Sequence, residues 1–251
     1  MDRRGFAISA LAAVGGFLLG WMIPGQKGTV LPDEDNDLGM RYHQWSMLGR
    51  SRPLSPIQDW GRQPERFKTY PDAERITLPD PRGFQGLSVE AALERRRSIR
   101  DYAPEPLSLG EISRLLHAAQ GITDRFGGYR AAPSAGALYP IEVYPIVHHV
   151  ERLESGVYHY AVQGHALERL RAGDFRAAVS EAGLGQSLLA KAGVCFVLSG
   201  IVQRARWKYR ERAYRYILME SGHIGQNLYL AAASMGVGAC AVGAFLEDDL
   251  D

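Results

Sequence analysis

From residue 87 onward the apolar positions fall into two patterns, recurrences every three to four residues and short continuous runs. Ile112, Leu115, Leu116 and Ala119 recur at helical spacing. Ser108 and Glu111 form a capping box ahead of them, Leu107 can staple to Ile112, and Gly121 closes the helix. An earlier helix starts at the N-cap Ser88, with Leu87 placed to staple to Ala92, and runs to about Ser98. Residues 141–147 are rich in branched and aromatic side chains and read as a strand, as do residues 156–160. Residues 165–191 read as helices broken near Gly173 and Gly183–Gly185. The unbroken apolar run 193–202 has strand length and predicts a buried central strand. Residues 210–235 form the longest helical segment, Gly236-Val237-Gly238 ends it, and residues 239–245 make a last strand. A few central strands among helices imply one α+β domain over residues 87–251.

Ahead of this body lie two segments of different character. Residues 1–25 open with Arg3-Arg4, continue as an apolar stretch over 6–23 and end at Pro24-Gly25. A basic end before an apolar segment is the form of an export signal or a membrane anchor. The paired arginines with Phe6 two places on resemble a twin-arginine signal. Three outcomes follow: cleaved export, a retained anchor through residues 6–23, or a buried N-terminal helix. The first two place the protein in the periplasm or at the outer face of the cytoplasmic membrane, with residues 1–25 outside the fold. Residues 26–86 carry seven prolines between Pro32 and Pro81 and read as an extended arm with a short helix near 40–48. The large aromatics Tyr42, Trp45, Trp60, Phe67 and Tyr70 predict that this arm lies on the body.

Composition narrows the classes. The chain has 251 residues, 46% hydrophobic and 23% charged, which excludes a disordered protein and a disulfide scaffold. With 29 basic and 28 acidic residues, the formal charge of +1 argues against a nucleic-acid partner. Cys195 and Cys240 sit in apolar runs and read as buried thiols.

Four segments could carry chemistry. Arg95, Arg96, Arg97 and Arg100 surround Ser98 at a predicted helix end. They form either a solvated basic face or an anion site, since guanidinium forks match phosphate oxygens. In residues 132–140 nearly every side chain is small, which suits a close approach of main chain to a flat ligand as well as a tight turn. Residues 236–245 form a strand poor in large side chains, packed under a helix or open to a ligand. Residues 204–215 hold six basic side chains with aromatics between them, a solvated helix start or an active-site segment more than a nucleic-acid stripe. The histidines are unremarkable. His148 and His149 point to opposite faces of a strand end, which is wrong for one metal ion, and His223 reads as an interior residue of the long helix. No metal set, GxSxG elbow or GxGxxG is present.

Taken in order, RRSIRDY (96–102), PSAGALYP (133–140), GVYHY (156–160), RWKYRERAYRY (206–216), ESGHIGQNLYLAAASMGVG (220–238) and AVGAF (241–245) resemble the FMN-dependent nitroreductase family. The nearer likeness is to its SagB/ThcOx-type dehydrogenase branch. Tyr42-His43 and the DWGRQPERFKTYP stretch resemble that branch too, so the likeness covers roughly residues 40 to 250. It implies a three-layer α+β fold with a mixed, mainly antiparallel sheet flanked by helices, and a homodimer with FMN at the interface. By the same resemblance, Arg96, Arg97, Ser98 and Arg100 hold the FMN phosphate, ribityl chain and pyrimidine edge. Pro133 and Ser134 reach FMN from the partner subunit, and Gly243 and Ala244 offer main chain to the ring. Lys208 and Tyr209 match the branch's Lys-Tyr catalytic pair; a base role needs a lowered lysine pKa, which the surrounding arginines favour. The family also continues about 20–30 residues past the AVGAF strand.

The function implied is an FMN-dependent oxidoreductase moving hydride between flavin N5 and a small-molecule or peptide substrate. Two alternatives stand beside it: an azoline-to-azole peptide dehydrogenase, and a flavin-binding protein without turnover.

Overall fold

The computed structural model describes residues 5–10, 37–47 and 61–250. Its centre is a seven-stranded sheet. In chain order the strands and helices are β1 (Gly5–Ala10), α1 (Leu38–Trp45), β2 (Glu74–Thr77), α2 (Val89–Arg95) and α3 (Leu109–Gln120). The small hairpin β3 (Ile122–Asp124) and β4 (Tyr129–Arg130) comes next, then β5 (Ile141–Val147), β6 (Gly156–Ala161) and β7 (Ala166–Ala172). The last elements are α4 (Arg176–Ala182), α5 (Ser187–Lys191), β8 (Val194–Gly200), α6 (Val202–Tyr209), α7 (Ala213–Met235) and β9 (Gly238–Val242).

The sheet order is β2-β7-β6-β5-β8-β1-β9. The pairs from β2 to β8 are antiparallel, and β1 pairs parallel with both β8 and β9. This is the mixed, mainly antiparallel sheet the sequence implied. Period-two alternation divides the core. Phe196 and Leu198 of β8 face α3 and α7 with Ile112, Leu116, Ile224 and Leu228. Cys195 and Val197 face α4 and α5 with Val179 and Leu189. Both cysteines are buried free thiols. The capping box at Ser108 forms in full, and Gly236 ends α7 with φ +74°.

Three expectations differ from the structure. Gly5–Ala10 is a strand inside the sheet, so residues 1–25 do not all stand outside the fold. Between β8 and β9, two rows of backbone donors and acceptors face each other, and an extended segment satisfies both. Residues 11–25, which hold the remainder of the apolar stretch and Pro24-Gly25, lie outside the described residues. No helix among the described residues is long and apolar enough to cross a membrane.

The second difference is β7, a strand where a helix was expected. Gln163-Gly164 is a hairpin turn with Gly164 at φ +96°, which folds residues 166–172 back on β6. Sheet pairing on both sides then outweighs local helix preference. The third is the arm. It lies on the body, but its last part is not a loose extension: β2 closes the sheet edge against β7.

The start of α7 ties down the arm's helix. Arg212 donates to the Ser46 carbonyl (2.6 Å), while Arg215 donates to the His43 carbonyl (2.6 Å) and to Ser46 Oγ (2.6 Å). These guanidiniums satisfy the C-terminal carbonyls that α1 leaves without partners.

Candidate functional site

Two clusters flank α7. The first gathers the Pro133–Pro140 loop, the end of α6 and Glu220. The loop winds tightly: Gly136, Ala137 and Tyr139 all have positive φ, at 62°, 54° and 47°. Tyr139 anchors it. The buried phenol accepts the Arg130 N–H (3.0 Å), and the Arg130 guanidinium stacks 4.5 Å from its ring. The Tyr139 N–H donates to Ser134 Oγ (2.8 Å), which closes the loop on itself.

Gly136 is where this loop meets α6. A Cβ there would lie 2.8 Å from the Tyr209 hydroxyl and 3.2 Å from Lys208 Nζ. The sequence-predicted pair and loop are therefore in contact. The Tyr209 ring packs edge-on against Tyr216 at 4.6 Å. Burial, and then the neighbouring Tyr216 and Glu220, push the Tyr209 phenol pKa up, so it is held protonated. A cavity of 480 Å³ opens beside Gly136 and Ala137, walled on its far side by residues 63–66 of the arm.

Glu220 escaped the sequence reading. It is 4% exposed, and its Oε1 accepts the Ala135 N–H at 2.9 Å. Oε2 is buried with no hydrogen-bond partner. Burial raises its pKa to about 7, against the opposing pull of the Ala135 amide, the Ser134 hydroxyl and Arg130. An acid in an otherwise apolar helix face was the available signal.

The second cluster lies about 13 Å along α7, nine residues at the helical rise. Here the chain after α2 runs beside β9. Ser98 bridges Ala239 in parallel, and the Ile99 N–H donates to the Ala239 carbonyl at 2.8 Å. Tyr229 joins the two: its hydroxyl is 3.0 Å from Ser98 Oγ and accepts the Ala241 N–H at 2.6 Å. The Arg96 guanidinium lies 5.4 Å from the Tyr229 ring, and Arg97 donates to the Glu94 and Arg96 carbonyls. Gly238 lets the two segments approach closely: a Cβ there would lie 2.9 Å from Ile99 Cγ2 and force it to shift. Gly243 is exposed, and a Cβ on it would meet nothing within 4 Å. Ala244 follows, its carbonyl accepting from Gln186 at 3.0 Å. Arg97, Ser98 and Arg100 are exposed beside this bare main chain.

So Arg96 and Ser98 meet at Tyr229 beside β9, the strand that leads into Gly243 and Ala244, while the 133–140 loop meets Lys208 and Tyr209 at Gly136. The two sets occupy separate stretches of α7. The donor chemistry of the second set fits a phosphorylated flat cofactor: guanidiniums for an anion, next to exposed backbone without side chains for a ring.

The basic run 204–215 has other employment. Arg204 is buried and pairs with Glu142, Arg206 pairs with Glu211 at 3.2 Å, and Arg212 and Arg215 hold α1. Glu142 belongs to a buried group that the sequence did not reveal. His159 sits between Glu142 (Nε2, 3.0 Å) and Glu168 (Nδ1, 2.8 Å), and Arg75 reaches Glu168 at 3.1 Å. A charged residue amid the apolar positions of β5 was its one trace. His223 is exposed, not interior, because its side of α7 carries no covering element among the described residues. His148 is buried and His149 exposed, on opposite faces.

Comparison with known proteins places the chain in a family. The model of the Nitroreductase family matches residues 93–251. A protein of Methanocaldococcus jannaschii named as a nitroreductase, MJ1384, is 38% identical over 179 residues, covering 71% of this chain and 88% of that protein. The microcin B17-processing protein McbC of Escherichia coli is 36% identical over 136 residues, 52% of this chain and 50% of McbC. A solved nitroreductase-like structure from Ralstonia eutropha superposes with TM-score 0.58 at 30% identity, over 74% of this chain and 82% of that one. One from Anabaena variabilis gives TM-score 0.72 at 26% identity, over 89% of this chain and 44% of that one. By its family match, its fold and its relatives, the chain belongs to the nitroreductase family.

Proposed function

We propose that the protein is an FMN-dependent oxidoreductase whose cofactor lies between two copies of the chain. One observation carries this. The pairing of Ser98 and Ile99 with Ala239 sets an arginine-rich segment along β9, the side-chain-poor strand that runs on to the exposed main chain of Gly243 and Ala244. Arg96, Arg97 and Arg100 would neutralise the phosphate and the electron-rich pyrimidine edge, Ser98 would hydrogen-bond the ribityl chain, and Gly243 and Ala244 would face the ring. Pro133 and Ser134 sit in the other cluster, so a second copy is what would bring them to the same cofactor. When bound, FMN supplies two-electron chemistry through hydride acceptance.

The chain's own residues divide the proton work. Tyr209, held protonated, is fitted to donate a hydrogen bond to the substrate. Lys208, beside Gly136 at the cavity mouth, is the group placed to take the substrate's proton. Residues 63–66 and the 133–137 loop wall the substrate's approach. A second reading, a peptide azoline dehydrogenase, is favoured by the likeness to McbC together with the Lys208-Tyr209 pair; the chain spans about half of McbC.

Purified protein should show flavin absorbance, or quench the fluorescence of added FMN. Lys208→Ala should keep the flavin and lose most substrate oxidation, on the scale of 100-fold for a general base. Protein that neither carries nor quenches FMN overturns the reading. Flavin bound with equal turnover in wild type and Lys208→Ala removes the base assignment, and flavin bound without turnover on any acceptor leaves a binding protein.

A further inference from the structure

Glu220 is a buried acid that the proton steps above do not use. It lies on α7 under the 133–137 loop, 11 residues after Tyr209 and one helical turn beyond Tyr216, whose ring packs on Tyr209. Its two oxygens are unequal. Oε1 is committed to the Ala135 N–H, whereas Oε2 is enclosed with no donor. A proton therefore goes to Oε2 and leaves the Oε1 bond in place. Losing that proton makes the Ala135 bond charge-assisted, which shortens and strengthens it, and the nearby Ser134 hydroxyl also favours the ionised form.

We propose that Glu220 is a positioning residue for the oxidoreductase reaction: its carboxyl grips the Ser134–Gly136 turn, and the grip that sets this turn against Lys208 and Tyr209 tightens when the acid ionises. This rests on the function proposed above. The charged and titratable groups acting on Glu220 are Arg130 and Ser134 from the loop side and Tyr209 from α6, with Tyr216 one turn back on α7; Lys208 lies at the Gly136 end of the turn, and His223 is on the exposed side of α7. Arg130 favours the ionised acid, and burial opposes it. The ionised acid in turn keeps Tyr209 protonated. The turn is strained, with Gly136, Ala137 and Tyr139 all in left-handed backbone regions; the bonds at Tyr139 hold its far end, and the Glu220 carboxyl holds its Ala135 end.

The test uses the full chain labelled with 15N-alanine. The Ala135 amide shift should titrate with a midpoint near pH 7 in the wild type and stay flat in Glu220→Gln, which keeps the Oε1 acceptor but cannot ionise. Ser134→Ala, which removes a donor to the carboxylate, should move the wild-type midpoint upward. In the flavin-loaded enzyme the acid limb of kcat/KM should share that midpoint and vanish in Glu220→Gln, with kcat falling more than KM changes. An Ala135 amide that does not titrate, or titrates alike in wild type and Glu220→Gln, overturns the proposal even where turnover is normal. An amide that titrates as expected in a protein with no redox turnover upholds the grip on the loop and sinks the oxidoreductase reading instead.

Discussion

Glu142 and Glu220 are equally buried, at 4% exposure each, and they carry opposite charge tendencies. Glu142 shares its oxygens between Arg204 and His159, and these partners overcome the burial cost and hold its pKa below the usual carboxylate range. Glu220 has an amide and a hydroxyl but no cation at hydrogen-bond distance, and its pKa rises to about 7. Depth does not decide ionisation; the number of full opposite charges within reach does. The first acid ties the start of α6 to β5, since Arg204 also donates to the Tyr139 carbonyl at 3.1 Å and the Glu65 carbonyl at 2.8 Å. The second sits where protonation can change within the physiological range. One is framework and the other is site.

The sharpest way to break this contrast is to remove Glu142's cation. Arg204→Met should cost about 3–5 kcal/mol of stability in urea unfolding, because it strands a buried carboxylate. Replacing both members, Arg204→Met with Glu142→Leu, should recover most of that loss. A double variant as unstable as the single one would mean that Arg204 acts through its carbonyl bonds instead.

Next in size is the pH dependence of Glu220. Its folded pKa lies above its unfolded value, so its contribution is fully present below the unfolded pKa. It is lost as pH rises toward about 7, because the folded chain holds a proton there that the unfolded chain has shed. Glu220→Gln lacks this term. Its stability relative to wild type should therefore improve by about 2–3 kcal/mol between pH 5 and pH 8. Thermal melts across that range check it, and a constant difference would place Glu220's titration elsewhere.

The smallest effect separates the two glycines. Gly136→Ala should cost about 1–2 kcal/mol, from a positive φ and a Cβ driven toward Tyr209. Gly243→Ala should leave the melting temperature unchanged while weakening FMN binding. Equal melting losses for both would show that Gly243 is packed against protein.

Much of the frame was legible because it obeys local rules. The capping box at Ser108, the apolar run of β8 and the glycines after α7 each specify their element within a few residues. β7 was not legible, since residues 166–172 carry enough helix formers to mislead and only pairing with β2 and β6 corrects them. The site was legible by segment: RRSIR and PSAGALYP declare small or cationic chemistry in a run. Glu220 and Tyr229 were hidden because each is a single polar residue on a long helix, and its meaning comes from a partner about 85 or 130 positions away, too remote for any periodicity to report. The His159 group was hidden for the same reason.

The arginines at the start of α7 hold the arm mainly by its carbonyl oxygens, groups that every residue type presents alike. Such a latch reads the course of the main chain and is largely indifferent to the side chains at Gln44 and Trp45. Because a carbonyl bears no net charge, added salt has little purchase on it, and α1 should stay seated on the body in brines that loosen ordinary ion pairs.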